Sequence, residues 1–127
     1  MPKKKPFEGH KVLIVSQNDN IKRVLTKVFH NCGAQIFTES DGHQALRAVR
    51  KLKTEIVIFS NDVQRGGAKW FAHQLRTKHI TDADILWYIG NQKIPLMDGF
   101  TRRPFKPVSL VKPLAYNLAV LDDLRRA

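Results

Sequence analysis

Short apolar segments alternate with amphipathic segments along most of the chain. The apolar segments are rich in β-branched and aromatic residues, which is typical of buried strands. They are Lys11–Val15, Ala34–Glu39, Glu55–Phe59, Asp84–Gly90 and the weaker Gly99–Arg102. Because strands that are apolar on both faces need helices on both faces, the pattern predicts a doubly wound α/β fold.

The amphipathic segments between the strands predict helices. Asn18 or Asp19 can cap the first helix, Gly33 can end it, and Asp41 can cap the second. The predicted inward positions are Ile21, Val24, Leu25, Val28 and Phe29 in the first helix, Leu46, Val49 and Leu52 in the second, Trp70, Phe71 and Leu75 in the third, and Leu110, Leu114, Leu118 and Leu121 in the last, which runs over 108–127.

The ends of the predicted strands carry mostly small or polar residues. In chain order they are Ser16-Gln17, Ser60, Ile89-Gly90 and Arg103-Pro104. In open α/β sheets the functional crevice lies outside the carboxyl ends of the strands. These residues are therefore predicted to gather in one crevice.

The spacing of these positions resembles the receiver domain of two-component response regulators along nearly the whole chain. "VLIVSQN" is similar to the family pattern "VLIVDDx", "TEIVIFSND" to "PDLVLLDxx", and "GFTRRPFKPVSL" to "GFLxKPFxPxxL". The lead-in "PFEGHKVLIV" is similar to that of receivers inside hybrid sensor kinases. The resemblance implies a flavodoxin-like, five-stranded parallel sheet of order 2-1-3-4-5. It also implies one domain over residues 11–127, behind a basic linker or tail at 1–10.

Every position that carries chemistry in receivers holds a different residue here. The family's acidic pair matches Ser16 and Gln17, and its phosphate-accepting Asp matches Ser60. Its Thr or Ser matches Ile89, and its Lys matches Arg103. The resemblance therefore implies a pseudo-receiver, a domain that keeps the frame of the phosphorylation site without its chemistry.

Two alternative registers stay open. Gly90 would take the place of Ile89 if the fourth strand slipped by one residue. Lys106-Pro107 could take the place of Arg103-Pro104, although Leu110 downstream favours Arg103-Pro104. A cis peptide before Pro104 is expected, as is typical of this turn in the family.

The replacements remove the charged groups that phosphoryl transfer needs. Transfer to a carboxylate requires that nucleophile and a divalent cation, and Mg²⁺ is usually held by carboxylates. Ser16, Gln17 and Ser60 supply no anion, and no base matches a position beside Ser60. Asp62, two residues further on, is expected to face solvent. The sequence predicts no metal, no cofactor and no enzymatic activity.

Ser60 and Arg103 could instead hold a small anion in the emptied crevice, because a guanidinium binds anions through a two-pronged fork. The alternative is that Arg103 merely replaces the family's Lys at the surface. The first interpretation makes the domain a small-anion sensor.

The segment between the fourth and fifth strands is too short for a helix. Thirteen residues, Gly90 to Arg102, must supply two loops and a strand as well. The family's fourth helix is therefore predicted to be shortened or missing. The candidate partner surface consists of Ile94, Leu96, Met97 and Phe105; alternatively, the loop packs back onto the sheet.

The charge balance is strongly basic. Of 127 residues, 22 are Lys or Arg and 11 are Asp or Glu, for a net charge of +11. Such a charge attracts polyanions, so nucleic acid is a candidate partner. The basic residues are spread widely, so a generally solvated basic surface is the alternative. The absence of a long apolar run and the single Cys32 favour a cytoplasmic protein without a membrane span.

The function predicted from the sequence is a non-phosphorylatable signalling module that acts through protein–protein interaction in two-component signal transduction. The resemblance implies a protein partner such as an adjacent histidine kinase or output domain. The alternatives are the basic nucleic-acid-binding module and the small-anion sensor.

Overall fold

The computed structural model describes residues 5–78 and 83–126. The strands are β1 (Lys11–Val15), β2 (Gln35–Glu39), β3 (Ile56–Ser60), β4 (Ile85–Gly90) and β5 (Gly99–Arg102). The helices are α1 (Asp19–Asn31), α2 (Gly42–Leu52), α3 (Ala68–Thr77) and α4 (Val111–Arg126), with a 3₁₀ turn at Pro107–Leu110 before α4. All five predicted strands are confirmed to within one residue at each end.

The strands form one parallel sheet in the order β2-β1-β3-β4-β5, as predicted. The strand order reverses between β1 and β3, and a crevice opens at such a switch point. Val15 pairs with Phe59, and Ser60 pairs with Ile89. This register brings the carboxyl ends of β1, β3 and β4 to the same edge.

Two apolar clusters cover the two faces of the sheet. The cluster under α1 and α4 contains Val12 and Ile14 of β1, and the cluster under α2 and α3 contains Leu13 and Val15 of the same strand. These are called the α1–α4 face and the α2–α3 face below. Because consecutive strand residues point to opposite faces, the unbroken apolar run of β1 supplies both clusters.

Helix α1 begins and ends at the predicted signals. The Asn18 side chain accepts a hydrogen bond from the backbone N–H of Ile21 at 3.0 Å, so Asn18 rather than Asp19 is the cap. Gly33, just past the end, has φ +95°, which favours glycine. Of the predicted apolar stripe, Leu25 and Phe29 are buried, but Val24 is 38% exposed.

Helices α2 and α3 differ in how their first turns are capped. The Asp41 side chain accepts from the N–H of Gln44 at 2.8 Å, which confirms the predicted cap of α2. Gly67 precedes α3 and offers no side chain. In α3, Phe71 and Leu75 are buried as predicted, whereas Trp70 is only half-buried.

No helix lies between β4 and β5, which confirms the predicted loss; all the residues of that connection, 91–98, are described. Ile94 and Met97 are half-buried and pack against the α2–α3 face cluster. Leu96 is 47% exposed and has φ +69°. The connection thus packs partly onto the sheet and leaves Pro95 and Leu96 exposed to solvent.

The segment before β1 contributes to the core. Phe7, within the predicted linker 1–10, is completely buried and its ring meets that of Phe29 edge-on at 5.1 Å between centroids. Its backbone N–H donates to the carbonyl of Cys32 at 2.9 Å. Residues 1–4 of the predicted linker lie outside the described residues.

None of the helices in the described part of the chain is both long enough and apolar enough to cross a membrane.

Candidate functional site

The carboxyl edge of the sheet holds two buried serines. Ser16 follows β1 and Ser60 ends β3, and both side chains are almost completely shielded from solvent. A buried hydroxyl needs hydrogen-bond partners, because an unpaired one costs free energy. The partners of these two hydroxyls define the site.

Asp62 supplies those partners, contrary to the expectation that it faces solvent. Its Oδ2 accepts a hydrogen bond from Ser16 Oγ at 2.7 Å and from Ser60 Oγ at 3.1 Å. Its Oδ1 accepts from the backbone N–H of Gln17 at 2.9 Å. The carboxylate therefore lies inside the crevice and joins the ends of β1 and β3.

Arg103 closes the site from the β5 side. Its guanidinium donates to Ser60 Oγ and lies 3.4 Å from Asp62 Oδ2. The contacts of Arg103 with Ser60 and Asp62 support the Arg103-Pro104 register over Lys106-Pro107. The Arg103–Pro104 peptide is cis, as expected. Both ionic side chains are about three-quarters buried, Arg103 at 29% exposure and Asp62 at 26%.

The four side chains form one connected network, called the Asp62 network below: Ser16, Ser60, Asp62 and Arg103. Ser16 Oγ also accepts from the N–H of Asn18 at 3.0 Å, so each hydroxyl both donates and accepts. The buried Arg103 Nε has no acceptor among the described residues. With that exception the network satisfies its own polar groups.

The chemistry open to this network is narrow. The sequence did not predict a carboxylate beside the Ser60 hydroxyl, and Asp62 is one. Its Oδ2 already accepts hydrogen bonds from Ser16, Ser60 and Arg103. One guanidinium balances one carboxylate, so the site has no net negative charge to attract a divalent cation. A small anion would compete with Asp62 for the Arg103 guanidinium. Within residues 5–78 and 83–126, no three His, Cys, Asp or Glu side chains gather in a way that could hold a metal ion.

The remaining predicted positions take no part through their side chains. Gln17 is exposed and contributes only its backbone N–H. Ile89 is paired with Ser60 but is completely buried in the α1–α4 face cluster. A Cβ on Gly90 would overlap the end of the Tyr88 ring, so a side chain at that position would require Tyr88 to move.

Tyr88 lies next to the network on the α2–α3 face. Burial raises the pKa of its hydroxyl, and the positive charge of Arg103 opposes part of that rise. Its ring stacks on Phe100 with 6.3 Å between centroids. The neighbouring Trp87 is buried in the opposite cluster and donates through Nε1 to Thr101 Oγ1 at 2.8 Å. The two aromatic residues therefore do not form one exposed platform.

A groove of about 590 Å³ opens beside the network, between α1 and the β5–α4 connection. Its apolar lining residues are Ile21, Val24, Leu25, Pro104, Phe105 and Pro107, and Arg103 of the network lines it as well. Of the four residues of the candidate partner surface, only Phe105 lines this groove. Ile94 and Met97 line a different hollow, over β5.

Asp62 is the residue of this site whose position the sequence did not predict. The backbone N–H of Val63 donates to the carbonyl of Ser60 at 3.4 Å, and Val63 itself is buried. This tight turn brings Asp62 back over the sheet edge. The sequence does contain a signal for this position. Asp62 belongs to "SND", which favours a turn directly after a buried strand, and the next residue, Val63, is apolar and returns to the core.

No protein-family model and no curated protein sequence matches the chain. Solved structures do match. The chain is similar to the chemotaxis response regulator CheY4 of Vibrio cholerae (20% identity, TM-score 0.76, 85% of this chain and 98% of that one). It is also similar to a response regulator receiver modulated diguanylate cyclase from Pelobacter carbinolicus (16%, 0.76, 93% and 99%). A third match is the signal receiver domain of a histidine kinase from Syntrophus aciditrophicus (16%, 0.78, 87% and 91%). The chain therefore has the receiver fold.

Proposed function

We propose that this receiver fold is a non-enzymatic signalling module of the two-component type, which acts by docking to a protein partner without being phosphorylated. The observation that carries the proposal is the Asp62 network. Where phosphoryl transfer would need free carboxylates and a cation, this crevice holds two serines and an internal ion pair.

The groove between α1 and the β5–α4 connection is the proposed docking surface. Its apolar lining includes Val24 and Phe105, and the exposed Lys106, between the lining residues Phe105 and Pro107, adds positive charge. An amphipathic helix binds such a groove through an apolar stripe. Charge complementarity then favours a partner helix with acidic residues beside that stripe. The partner kinds proposed are an adjacent histidine kinase or an output domain.

The first experiment tests phosphorylation directly. Beryllofluoride and Mg²⁺, or acetyl phosphate and Mg²⁺, are added to ¹⁵N-labelled protein, and amide shifts of Ser16, Ser60 and their neighbours are recorded. We expect no saturable change. A saturable change that disappears in Asp62→Asn would make Asp62 a phosphate acceptor and would overturn the proposal.

The second experiment tests the docking surface with a matched pair of substitutions. Val24 in the groove and Val120 on α4 are exposed to nearly the same extent, 38% and 39%. A partner captured by the wild-type chain should bind Val24→Asp at least about tenfold more weakly, because a carboxylate would enter an apolar contact. It should bind Val120→Asp normally. The reverse result would place docking on α4 and contradict the proposed surface.

A further inference from the structure

The α2–α3 face carries two rows of basic residues on adjacent helices. His43, Arg47 and Arg50 lie at positions i, i+4 and i+7 of α2, and Lys69, His73 and Arg76 repeat this spacing in α3. Residues at these spacings share one side of a helix. All six are exposed except Arg76, which is partly buried and paired with Asp98 at 3.0 Å.

The two helices that carry these rows lie side by side, although Arg76 of the α3 row turns towards Asp98 just before β5. Helices α2 and α3 cover the same face of the sheet, and their apolar sides meet in one cluster. At their amino-terminal ends the ring of His43 contacts that of Trp70, with centroids 4.2 Å apart. Helices α1 and α2, by contrast, lie on opposite faces of the sheet, so their basic residues cannot form one surface.

Carboxylates are missing from both helices. Segments 42–54 and 63–78 contain eight Lys or Arg residues and no Asp or Glu: Arg47, Arg50, Lys51, Lys53, Arg65, Lys69, Arg76 and Lys78. Glu39, Asp41 and Asp98 lie only at the borders of this surface, and Asp41 is occupied as a helix cap. Helices α1 and α4, by contrast, contain Asp19, Asp122 and Asp123. Both pairs of helices are therefore net positive, but only the α2–α3 pair contains no carboxylate.

We infer that the α2–α3 face is a binding surface for the phosphate backbone of a nucleic acid. Each basic row extends over roughly 10 Å of helix, from the rise of about 1.5 Å per residue. Exposed cations spread along two helices can contact several charges of a linear polyanion, since duplex DNA carries one charge per roughly 1.7 Å of its axis. A small anion would use only one or two of these side chains.

The same face does not have the features of a membrane-binding surface. Helices that lie on lipid need exposed apolar side chains to insert. Between residues 42 and 78 no large apolar side chain is exposed; those that are exposed in the described chain lie elsewhere, at Val24, Leu96, Val108, Tyr116, Val120 and Leu124. The half-buried Trp70 lines a hollow of about 250 Å³ with Lys69 and Tyr88, and such aromatic residues beside cations suit bases better than lipid.

The test compares two double variants that have the same net charge. Arg47→Glu with Lys69→Glu alters the proposed face, and Lys27→Glu with Lys112→Glu alters exposed positions on α1 and α4. Each exchange removes two units of charge, so both variants change the net charge from +11 to +7. Fluorescence anisotropy is measured with labelled single-stranded and duplex DNA and RNA at ~50 mM and ~150 mM salt.

The face variant should bind at least about tenfold more weakly than the control variant, with a log–log salt slope smaller by about 2 because two phosphate contacts are lost. Equal weakening of both variants, or no binding by the wild-type chain at ~50 mM salt, would overturn the inference. Binding to phosphatidylserine vesicles that the face variant loses, without nucleic-acid binding, would assign the face to lipid and also overturn it. These outcomes are independent of the docking groove, which neither variant alters.

Discussion

Asp62 accepts hydrogen bonds from two buried hydroxyls and one backbone N–H and also faces the Arg103 guanidinium. Its replacement by Ala would leave Ser16 and Ser60 without their acceptor and Arg103 without its counter-charge. We expect Asp62→Ala to lower the free energy of unfolding by about 1–3 kcal/mol, the usual penalty for stranding buried polar groups. Urea denaturation measures the change, with the exposed Asp123→Ala as the control.

A double-mutant cycle with Arg103→Ala separates the ion pair from the rest of the network. Because the second substitution removes the charge that the first one strands, the double variant should lose less stability than the sum of the two singles, by roughly 0.5–3 kcal/mol. Strict additivity would mean that Asp62 and Arg103 do not interact in solution.

Tyr88 provides a spectroscopic measure of the same region. Burial raises the pKa of its hydroxyl in the folded state. The contribution of Tyr88 to the free energy of unfolding is therefore fully present below the pKa of Tyr88 in the unfolded chain. It is lost as pH rises through the pKa of Tyr88 in the folded chain. In Tyr116→Phe, Tyr88 is the only tyrosine left, and its phenolate absorbance should appear at higher pH in native protein than in guanidinium chloride.

Arg103 gives this titration an internal check. Its charge opposes the rise in the pKa of Tyr88, so Arg103→Ala in the Tyr116→Phe background should raise that pKa further. Identical titrations with and without Arg103 would place the guanidinium away from the phenol.

For single residues, the sequence predicted which strand ends the site residues occupy better than it predicted their side-chain contacts. Ser16, Ser60 and Arg103 were found because each follows a recognisable strand, and the parallel sheet brings strand ends together. The position of Asp62 was not predicted because it depends on the turn after β3, where the backbone N–H of Val63 donates to the carbonyl of Ser60 and that of Asn61 to the carbonyl of Ile89.

At the scale of the elements, the contact between α2 and the turn before α3 sets a strict size limit. Gly42 begins α2, and a Cβ there would overlap the carbonyl oxygen of Gly66. Since backbone cannot move aside as a flexible side chain can, Gly42→Ala should destabilise the fold by about 1–3 kcal/mol. Thermal or urea denaturation checks this value.

Gly67 is the matched control. It caps α3 at φ −65°, and a Cβ there would meet nothing closer than the Val63 carbonyl oxygen at 3.5 Å. Gly67→Ser should therefore leave stability within a few tenths of a kcal/mol or raise it slightly by adding a capping hydroxyl. A larger loss in Gly67→Ser than in Gly42→Ala would contradict the packing described for these two helices.

The elements themselves were predictable for a physical reason. Strands that are buried on both faces cannot tolerate polar interruptions, so β1, β3 and β4 are visible as apolar runs. The absence of a helix between β4 and β5 could be predicted from the length of that segment alone. The burial of Ile94 and Met97 could not be predicted, because an irregular connection has no periodicity to show which side chains return to the core.

At the scale of the whole molecule, Phe7 determines how much of the amino-terminal segment the domain needs. Its side chain is completely buried against Phe29, although it precedes β1. Phe7→Ala should lower the free energy of unfolding by about 3–5 kcal/mol, as for other buried Phe residues. Denaturation in urea tests this, and the exposed Glu8→Ala should change stability by less than about 0.5 kcal/mol. Similar values for the two variants would mean that residues 5–10 act as a linker.

The short connection between β4 and β5 also has a kinetic consequence. Trp87 pairs with Gly99, only 12 positions along the chain, whereas Lys11 pairs with Gln35 at 24 positions and Val12 with Ile56 at 44. The entropy lost on closing a loop rises with its length, by roughly 0.6 kcal/mol for each doubling. Because no crossover helix separates β4 from β5, pairing these two strands costs less loop-closure entropy than pairing any other two neighbouring strands of the sheet. In pulse-labelled refolding, the β4 and β5 amides should therefore be protected first, and the joining of β1 to β3 should set the overall rate.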